Sequence, residues 1–423
     1  MKRKNIIFVF IERALNLLSQ NGKLSFIVPS TWLNMHYFSK IRNLLVSKTK
    51  IEQVILYRYQ VFEDVTAETC IFICSKSSEI NEEIKVASLD TLNQNNNIEY
   101  QKISQSYWQK NYETGFNVLY SQEKLNLVEQ IYKKSTTINK IASITVGIKP
   151  YQTNKGTPKQ SKKDVENRIY DSETQINELY QPYIVGSNIT KYHIKKPINK
   201  YIKYGDWLAE PRKSLNFKSR KIVIRQTSDK IIAAIDEDGY YDLNNVHNLI
   251  VNVDNYELKY LLILLNSKLI DFVYKFLVPE SGRVFAEVKA INIAKLPIIE
   301  TPLINQAKLA QKAEQMIELN KQLHNGIDSA IELIKAEYQP KKINKNLEKF
   351  YTLGVHPFIE ELEKQKVKLS LSQKEELITW YKEKSEKLNQ TQSEIDKLDK
   401  TIDQEVYKLY NLTEDEIKII ENN

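Results

Sequence analysis

The spacing of apolar residues divides the chain into three parts. In residues 1–112, apolar positions three and four apart alternate with short continuous apolar runs, which is typical of helices followed by buried strands. We predict helices over residues 8–18 and 37–47, the first ending at Gly22, and strands over residues 24–28, 54–57 and 69–73. This alternation predicts an α/β part with a mostly parallel sheet covered on both sides.

Residues 113–300 change to shorter apolar runs with frequent turn residues. The runs predict strands over residues 144–148, 201–204, 221–225, 231–236 and 249–253. A hairpin turn is predicted at residues 236–239, because Gly239 tolerates the positive φ of a tight turn. A longer apolar stretch over residues 260–276 predicts a helix interrupted near Asn266. We interpret this part as a mixed α+β recognition-type domain.

Residues 301–423 follow a helical period. Apolar positions step by three and four through residues 310–334 and again through residues 388–409, which predicts two long helices that pack together in a coiled-coil-like tail. Thr413 and Glu416 form a capping-box pattern, so a last short helix is predicted to begin there. The predicted domains are therefore residues 1–112, 113–300 and 301–423.

Composition narrows the class of protein. A chain of 423 residues exceeds what one core usually supports, and its 42% hydrophobic and 27% charged residues are ordinary for a globular protein. No apolar run approaches the roughly 18 residues needed to cross a bilayer, so we expect no membrane association and a cytoplasmic location. The only cysteines, Cys70 and Cys74, are spaced to share one face of a strand. We interpret them as buried apolar groups, without a metal or disulfide role.

The formal net charge of +8, with an isoelectric point near 8.9, suits a polyanionic partner. The alternative is a lysine-rich genome that places lysine on every solvated surface. The distribution of the basic residues favours the first interpretation. The segment 149–163 contains five lysines and no acidic residue, interleaved with tyrosine, amide and turn residues.

Two basic segments and one basic turn are candidates for contacts with DNA, because lysine and arginine hold phosphates while amide side chains can pair with adenine. In the first segment the candidates are Lys149, Tyr151, Gln152, Asn154, Lys155, Lys159, Lys162 and Lys163. In the second, which surrounds the strand at 221–225, they are Arg220, Lys221, Arg225 and Gln226. Arg283 follows Gly282 in a flexible turn. The alternative for the first segment is a solvated loop, and we favour the DNA role there, whereas the second segment and the turn fit DNA contact and plain solvent exposure equally.

Several motifs, taken in order, resemble those of type IIG restriction-modification enzymes, whose methyltransferase part is of the gamma class of DNA N6-adenine methyltransferases. FIERAL (10–15) and NGKLSFIVPS (21–30) resemble the stretch that follows the catalytic motif of that class. VGIK (146–149), YQPYIVGSNITKY (180–192), RKIVIR (220–225), LLNSKL (264–269) and KLP (295–297) resemble a TaqI-like C-terminal specificity domain. Residues 402–420 are similar to the tail of type IIG enzymes. The resemblance implies an incomplete Rossmann-like methyltransferase sheet, a target-recognition domain and a helical tail.

The resemblance also implies which part of the chemistry this chain supplies. The family transfers a methyl group from S-adenosylmethionine to adenine, using an Asn-Pro-Pro-Tyr/Phe tetrapeptide and a Gly-rich loop, and neither occurs in the sequence. We expect no catalytic residue and no bound cofactor in this chain alone, because methyl transfer requires donor and acceptor to be held together. VFEDV (61–65) resembles the motif whose aromatic residue stacks on the extruded adenine, which would be Phe62. The alternative for Phe62 is an ordinary core residue.

We therefore expect the C-terminal portion of an adenine-specific methyltransferase that binds double-stranded DNA and relies on an N-terminal methyltransferase polypeptide, with or without a nuclease. The alternative is a non-enzymatic specificity or assembly subunit that docks on a separate methyltransferase. A magnesium nuclease pattern at Asp271, Glu287 and Lys289 is short enough to occur by chance. The five histidines show no metal-ligand spacing.

Overall fold

A computed structural model describes residues 6–63, 67–91, 98–113, 115–196, 198–278 and 287–422. The chain divides into two compact units, Met1–Gln130 and Ile131–Asn423. The division into three domains at residues 112 and 300 stays a prediction.

The first unit contains a five-stranded sheet with helices. Its helices are α1 (Ile6–Leu17), α2 (Ser39–Lys48), α3 (Gln105–Lys110) and α4 (Gln122–Lys133), which begins in this unit and runs into the next. Its strands are β1 (Lys23–Pro29), β2 (Lys50–Tyr57), β3 (Thr69–Ser75), β4 (Ile84–Leu89) and β5 (Gln101–Ile103). The helices and strands predicted in residues 8–73 are confirmed with shifted ends, whereas β4 and β5 were not predicted.

The sheet has the order β1-β3-β2-β4-β5. Only β2 and β4 are parallel neighbours, while β1 with β3, β2 with β3, and β4 with β5 are antiparallel. The prediction of a mostly parallel sheet is therefore wrong. A parallel pair needs a long crossover, usually a helix, and the segment from β2 to β3 has none in its described residues, so these strands pair antiparallel instead.

Arg42 is a buried charged residue that connects backbone segments in the core of this unit. Its side chain is buried and donates to the backbone oxygens of Trp32, Met35, Tyr112 and Glu113 at 2.6–3.0 Å. A buried guanidinium is tolerated because its donors are satisfied in this way. Cys70 and Cys74 are free thiols buried in β3, as predicted, and burial raises the pKa of both.

Helix α1 is apolar on two opposite sides. Ile11 and Leu15 are buried, whereas four apolar residues on the other side are 52–71% exposed, namely Ile6, Val9, Phe10 and Leu17. Their spacing puts them on one helical stripe. The neighbouring strand β1 pairs with β3 on one edge and has no partner strand on the other among the described residues.

The second unit contains short strands in several small sheets. The strands are β6 (Ser135–Thr137), β7 (Ala142–Val146), β8 (Asp171–Ser172), β9 (Tyr180–Ile184), β10 (Ile189–Thr190), β11 (His193–Ile194), β12 (Tyr201–Lys203), β13 (Lys221–Arg225), β14 (Ala233–Asp236), β15 (Tyr241–Asp242), β16 (Val246–Val251) and β17 (Pro297–Ile299). Two four-stranded sheets dominate, with orders β14-β13-β16-β7 and β15-β9-β12-β8. The α+β character predicted for this region is confirmed in this general sense.

The turn predicted at residues 236–239 exists, but it does not form a hairpin. Gly239 has φ +71°, as expected for a tight turn. The strand before the turn, β14, pairs with β13, whereas the strand after it, β15, pairs with β9 of the other sheet. The prediction of a hairpin is wrong because turn residues fix only the local direction of the chain, and the partners of each strand are decided by packing.

Among the described residues of the second unit, five helices correspond to predicted helical stretches, and five others were not predicted. Together they are α5 (Ile138–Ile141), α6 (Lys162–Glu166), α7 (Leu258–Asn266), α8 (Lys268–Leu277), α9 (Ala290–Ile293), α10 (Leu303–Tyr338), α11 (Lys345–Glu348), α12 (Val355–Lys364), α13 (Leu371–Leu409) and α14 (Glu414–Glu421). The two long helices α10 and α13 pack together, as predicted, and Thr413 caps α14 in a capping box with Glu416. No helix in the described ranges is long and apolar enough to span a membrane.

Candidate nucleic-acid interface

The segment 149–163 leaves the end of β7 and is folded tightly by one buried side chain. The Gln160 amide donates to the backbone oxygens of Pro150 and Trp207 at 2.7 and 2.8 Å, and its Oε1 accepts from the backbone N–H of Gln152 at 3.0 Å. Gly156 packs so closely on Trp207 that a Cβ would lie 2.2 Å from its backbone oxygen. The segment is therefore an ordered loop held against the turn that follows β12.

Four lysines project from this loop into solvent. Lys155, Lys159, Lys162 and Lys163 are exposed, and Lys162 makes one loose ion pair with Glu166 at 3.7 Å. The other three have no ion pair among the described residues. Ser161 begins α6 in a capping box with Asp164, which fixes the direction of the last two lysines. The loop therefore exposes lysine charges that have no acidic partner among the described residues, on a backbone held in place by Gln160.

Of the remaining predicted residues of the loop, Lys149, Tyr151 and Gln152 are half-buried and Asn154 is exposed. The Lys149 ammonium donates to Oε1 of Gln152 at 2.7 Å, so half of the Gln152 amide is engaged. The Tyr151 hydroxyl donates to Asp171 at 3.0 Å, and the guanidinium of Arg168 lies 5.0 Å from the centre of its ring. Burial and the Asp171 carboxylate raise the pKa of Tyr151. Asn154 is exposed in a left-handed turn with φ +65°.

Lys221 does not reach the surface, so its prediction as a DNA contact is wrong. Its side chain is 0% exposed, and its ammonium donates to Asp236 at 2.5 Å and to the backbone oxygens of Phe217 and Tyr240. The alternation of side chains along β13 predicted one polar face. Instead, β13 is an inner strand whose Val223 packs in a buried cluster with Ile184 and Ile189, so both faces are covered.

The other members of the second segment lie at opposite ends of β13. Arg220, before the strand, pairs with both oxygens of Glu237 at 2.8–2.9 Å. Arg225 and Gln226 are at the far end, about 16 to 20 Å from Arg220 at the usual rise of a strand. The structure thus separates residues that are adjacent in the sequence. Two further basic side chains next to this segment are also neutralised, since Arg212 pairs with Glu210 and Lys213 with Asp206.

Sheet pairing brings Arg225 and Gln226 to the same end as the basic loop. Arg225 pairs with Val246 of β16, and the adjacent His247 pairs with Val146 at the end of β7. Lys149 follows Val146 by three residues. The end of β13 and the start of the basic loop therefore lie at one end of the same sheet, which the sequence did not predict.

Phe62 and Arg283 are the two remaining predicted site residues. Phe62 belongs to the first unit and is 46% exposed, so it is not an ordinary core residue. Its role in stacking on a base stays a prediction. Arg283 lies outside the described residues. Asp271, a member of the nuclease-like pattern, pairs with Lys275 at 3.2 Å, and the described residues contain no cluster of three groups suited to a metal.

A buried polar pair beneath the loop was not predicted. The Asn248 amide donates to Oδ1 of Asp242 at 2.7 Å, while Oδ2 of Asp242 and Oδ1 of Asn248 have no partner among the described residues. Burial raises the pKa of Asp242 to about 7, against the opposing effects of Asn248 and Lys221. In its protonated form the carboxyl has an O–H donor, which the carboxylate lacks. A Cβ on Gly147 would lie 2.1 Å from Oδ1 of Asp242, so the start of the loop packs directly on this pair.

Only weak sequence signals mark these supporting residues. Gln160 and Asn248 are amides in or near polar segments, where exposed amides are common. Gly147, inside the strand predicted over residues 144–148, was the one available sign of a close approach.

Comparison with known families supports the predicted resemblance. Residues 181–298 match the TaqI-like C-terminal specificity domain, residues 1–62 match the Eco57I restriction-modification methylase, and residues 302–406 match a domain of unknown function, DUF8810. The resemblance predicted from the motifs is therefore confirmed. The chain carries a TaqI-like specificity domain and is related to type II restriction-modification methyltransferases.

Two relatives and one solved structure show what this chain is similar to. The chain is 24% identical over 355 residues to a putative type II restriction enzyme and methyltransferase of Methanocaldococcus jannaschii, covering 77% of this chain and 28% of the relative. It is 31% identical over 75 residues to the type II restriction enzyme and methyltransferase Eco57I of Escherichia coli, covering 18% of this chain and 8% of the relative. A solved structure of the type IIL enzyme MmeI in complex with DNA aligns with a TM-score of 0.42 and 11% identity, covering 92% of this chain and 53% of that one. The chain spans about a quarter of the length of the first of these relatives.

Proposed function

We propose that this chain binds duplex DNA and recognises a specific sequence as the target-recognition part of an adenine-specific restriction-modification methyltransferase. The observation that carries the proposal is the ordered loop 149–163. It exposes Lys155, Lys159 and Lys163, which have no ion pair among the described residues. The loop begins at the end of a sheet whose strands β13, β14 and β16 lie within the matched specificity domain. Lysines on a rigid loop can follow a phosphate backbone with little loss of conformational freedom.

The proposal predicts steeply salt-dependent binding that depends on this loop. Replacing Lys155, Lys159 and Lys163 by alanine is expected to weaken duplex binding and to flatten the plot of log affinity against log salt. The slope should fall by about 0.9 for each phosphate that the variant no longer neutralises. Electrophoretic shift or fluorescence anisotropy at several salt concentrations measures both quantities.

A control variant with an equal change of charge tests whether the loop itself matters. Lys382, Lys384 and Lys387 are exposed on α13, where alanine preserves the helix. Their triple replacement is expected to leave the salt dependence nearly unchanged. Equal effects of the two triple variants would show that only the total charge counts, and binding by the natural chain that ignores salt would contradict the proposal.

We infer that S-adenosylmethionine is held by another segment or polypeptide of the complete enzyme. The residues of the first unit do not fit this cofactor, because residues 1–130 contain only Gly22 and Gly115 and no Gly-rich turn after a strand. We therefore assign no step of methyl transfer to these residues. Phe62, half-exposed between β2 and β3, is suited to stack on an extruded adenine once the complete site is formed.

A second candidate function is that of a specificity subunit docked on a separate methyltransferase polypeptide. The observation that favours it is the exposed apolar stripe on α1 next to the edge strand β1. A helix that is apolar on both sides is typically buried, and an open strand edge offers backbone groups to another strand. A partner that covers this surface would supply a sheet edge and apolar side chains.

The exposed stripe is expected to cause self-association of the isolated chain. Replacing Val9 and Phe10 by glutamate should reduce that association, because charged side chains oppose burial of the stripe. Analytical ultracentrifugation over a range of concentrations measures it. Leu371→Glu, at an exposed apolar position on α13, is the control that should have no effect. A natural chain that is monomeric at all concentrations would argue against the docking surface.

A further inference from the structure

We propose that Arg225 and Gln226 read base edges, while the lysines of the loop 149–163 hold the phosphate backbone. This inference rests on the proposed DNA binding and names the residues that select the sequence. It assigns specificity to the end of one inner strand and affinity to the neighbouring loop.

The backbone around Gln226 is fixed on both sides. Its N–H donates to the backbone oxygen of Asn245 at 3.1 Å, and its own oxygen accepts from Val288 at 2.7 Å. Asn245 also accepts from the N–H of Gly186 at 3.2 Å through its side chain, so three segments meet at this point. A side chain that leaves such a position has a defined origin and direction, as base reading requires.

The two side chains carry the groups that distinguish bases. The Gln226 amide is half-exposed and has no partner among the described residues, so both its donor and its acceptor are available. The Arg225 guanidinium is oriented by one bond from Nε to the backbone oxygen of Thr227 at 2.8 Å, and its two terminal nitrogens have no partner in the described part of the chain. Glutamine can pair with N6 and N7 of adenine, and arginine with O6 and N7 of guanine, in the major groove.

The amide residues of the loop, Gln152 and Asn154, are less suited than Gln226 to contact base edges. Oε1 of Gln152 already accepts from the Lys149 ammonium, so only one of its two acceptor positions is left for a paired contact with adenine. The Asn154 amide has no partner within the described ranges, but it lies in an exposed turn next to Lys155, a position that suits contact with the phosphate backbone.

Arg220 supplies a control within the same strand segment. It is an exposed arginine at the opposite end of β13, whereas Arg225 is half-buried, and its guanidinium is already paired with Glu237. The inference therefore predicts that Arg220→Ala leaves the selected sequence unchanged, although the residue is only five positions from Arg225.

The test is selection of bound duplexes from a pool with a randomised segment, followed by affinity measurement on the selected duplex and on its single-base variants. The natural chain should enrich one motif. Gln226→Glu should change the preference at one position from adenine towards cytosine, whose N4 donor a carboxylate accepts, and Arg225→Ala should remove a preference for guanine at another. Each change should alter discrimination about 10- to 100-fold, with binding to random DNA retained.

The outcomes separate the inference from the proposed function. If the natural chain enriches no motif, sequence recognition itself fails, and the inference falls with it. If the natural chain enriches a motif that Gln226→Glu, Gln226→Met and Arg225→Ala all leave intact, DNA recognition stands and the assignment of the readers is overturned. Thermal unfolding of each variant verifies folding, and Gln226→Met keeps the side-chain shape should glutamate perturb the site.

Discussion

Replacing Asp236 by alanine is expected to lower the free energy of unfolding by about 3–5 kcal/mol, because it leaves the Lys221 ammonium charged and buried without a counterion. The Asp236 carboxylate also accepts from the backbone N–H groups of Asp238, Gly239 and Tyr240 at 2.9–3.1 Å. Its loss therefore removes the buried ion pair and the hydrogen bonds of the turn together. Chemical denaturation at constant pH measures the effect.

Two further variants separate the charge from the turn. Lys221→Met combined with Asp236→Asn keeps an acceptor for the turn and removes both charges, so it should be less destabilising than either Lys221→Met or Asp236→Ala. The exposed pair Arg220 and Glu237 is the matched control from the adjacent positions, and Arg220→Met should cost no more than about 1 kcal/mol. A double variant as unstable as the sum of the single ones would contradict a coupled buried pair.

The second large effect is a dependence of stability on pH that comes from Asp242. Its pKa of about 7 in the folded chain lies above the ordinary value of 3.8, so the folded state keeps a proton that the unfolded state has released. The stabilisation is therefore complete at low pH, falls as the pH rises from about 4 to about 7, and is constant above that. The slope contributed by one such group is at most about 1.4 kcal/mol per pH unit.

Asp242→Asn is expected to remove this slope, because a neutral amide can donate to Asn248 at every pH. Denaturation curves at about pH 5, 6, 7 and 8 compare the variant with the natural chain. Asp229→Asn, in an exposed turn, is the control that should keep the slope. If the natural chain instead gains stability relative to Asp242→Asn as the pH rises through this range, the carboxylate is charged in the folded state and the prediction is wrong.

The same carboxyl connects stability with the proposed interface. Asp242 packs on Gly147, and its backbone oxygen accepts from Ile148 at 2.8 Å, just before Lys149 begins the basic loop. Loss of the proton above neutral pH places an unsatisfied charge at the base of that loop. We therefore expect the proposed duplex binding to vary with the same titration, in addition to any titration of the DNA contacts.

Much of the local structure was predictable because it depends on neighbours in the sequence. The bounds of β13 agree with the prediction at both ends, and α1, α10 and α13 follow directly from apolar spacing. The parallel arrangement of the first sheet and the hairpin after Asp236 were not correctly predicted. In both cases the pattern described each strand but not its partner, and pairing depends on residues far apart in the chain.

The candidate site shows the same limit. The lysines at 155–163 are exposed, as the sequence predicts, since a polar loop without apolar period has no buried side. Alternation places Lys221 on the surface beside Arg225, yet a strand in the middle of a sheet can be covered on both faces. Gln160, which braces the loop, looks in the sequence like any solvated amide.

The sequence by itself determined the two longest helices and several of the strands, the basic character of the middle segment and the succession of motifs that resemble those of restriction-modification enzymes. Only the tertiary structure decided which basic groups are available, with Lys221 enclosed, Arg220 neutralised, and Arg225 brought to the end of β7 where the lysine loop begins. The physical reason is that charge and periodicity are local properties of the chain. Burial and ion pairing depend on which distant segments cover each side chain.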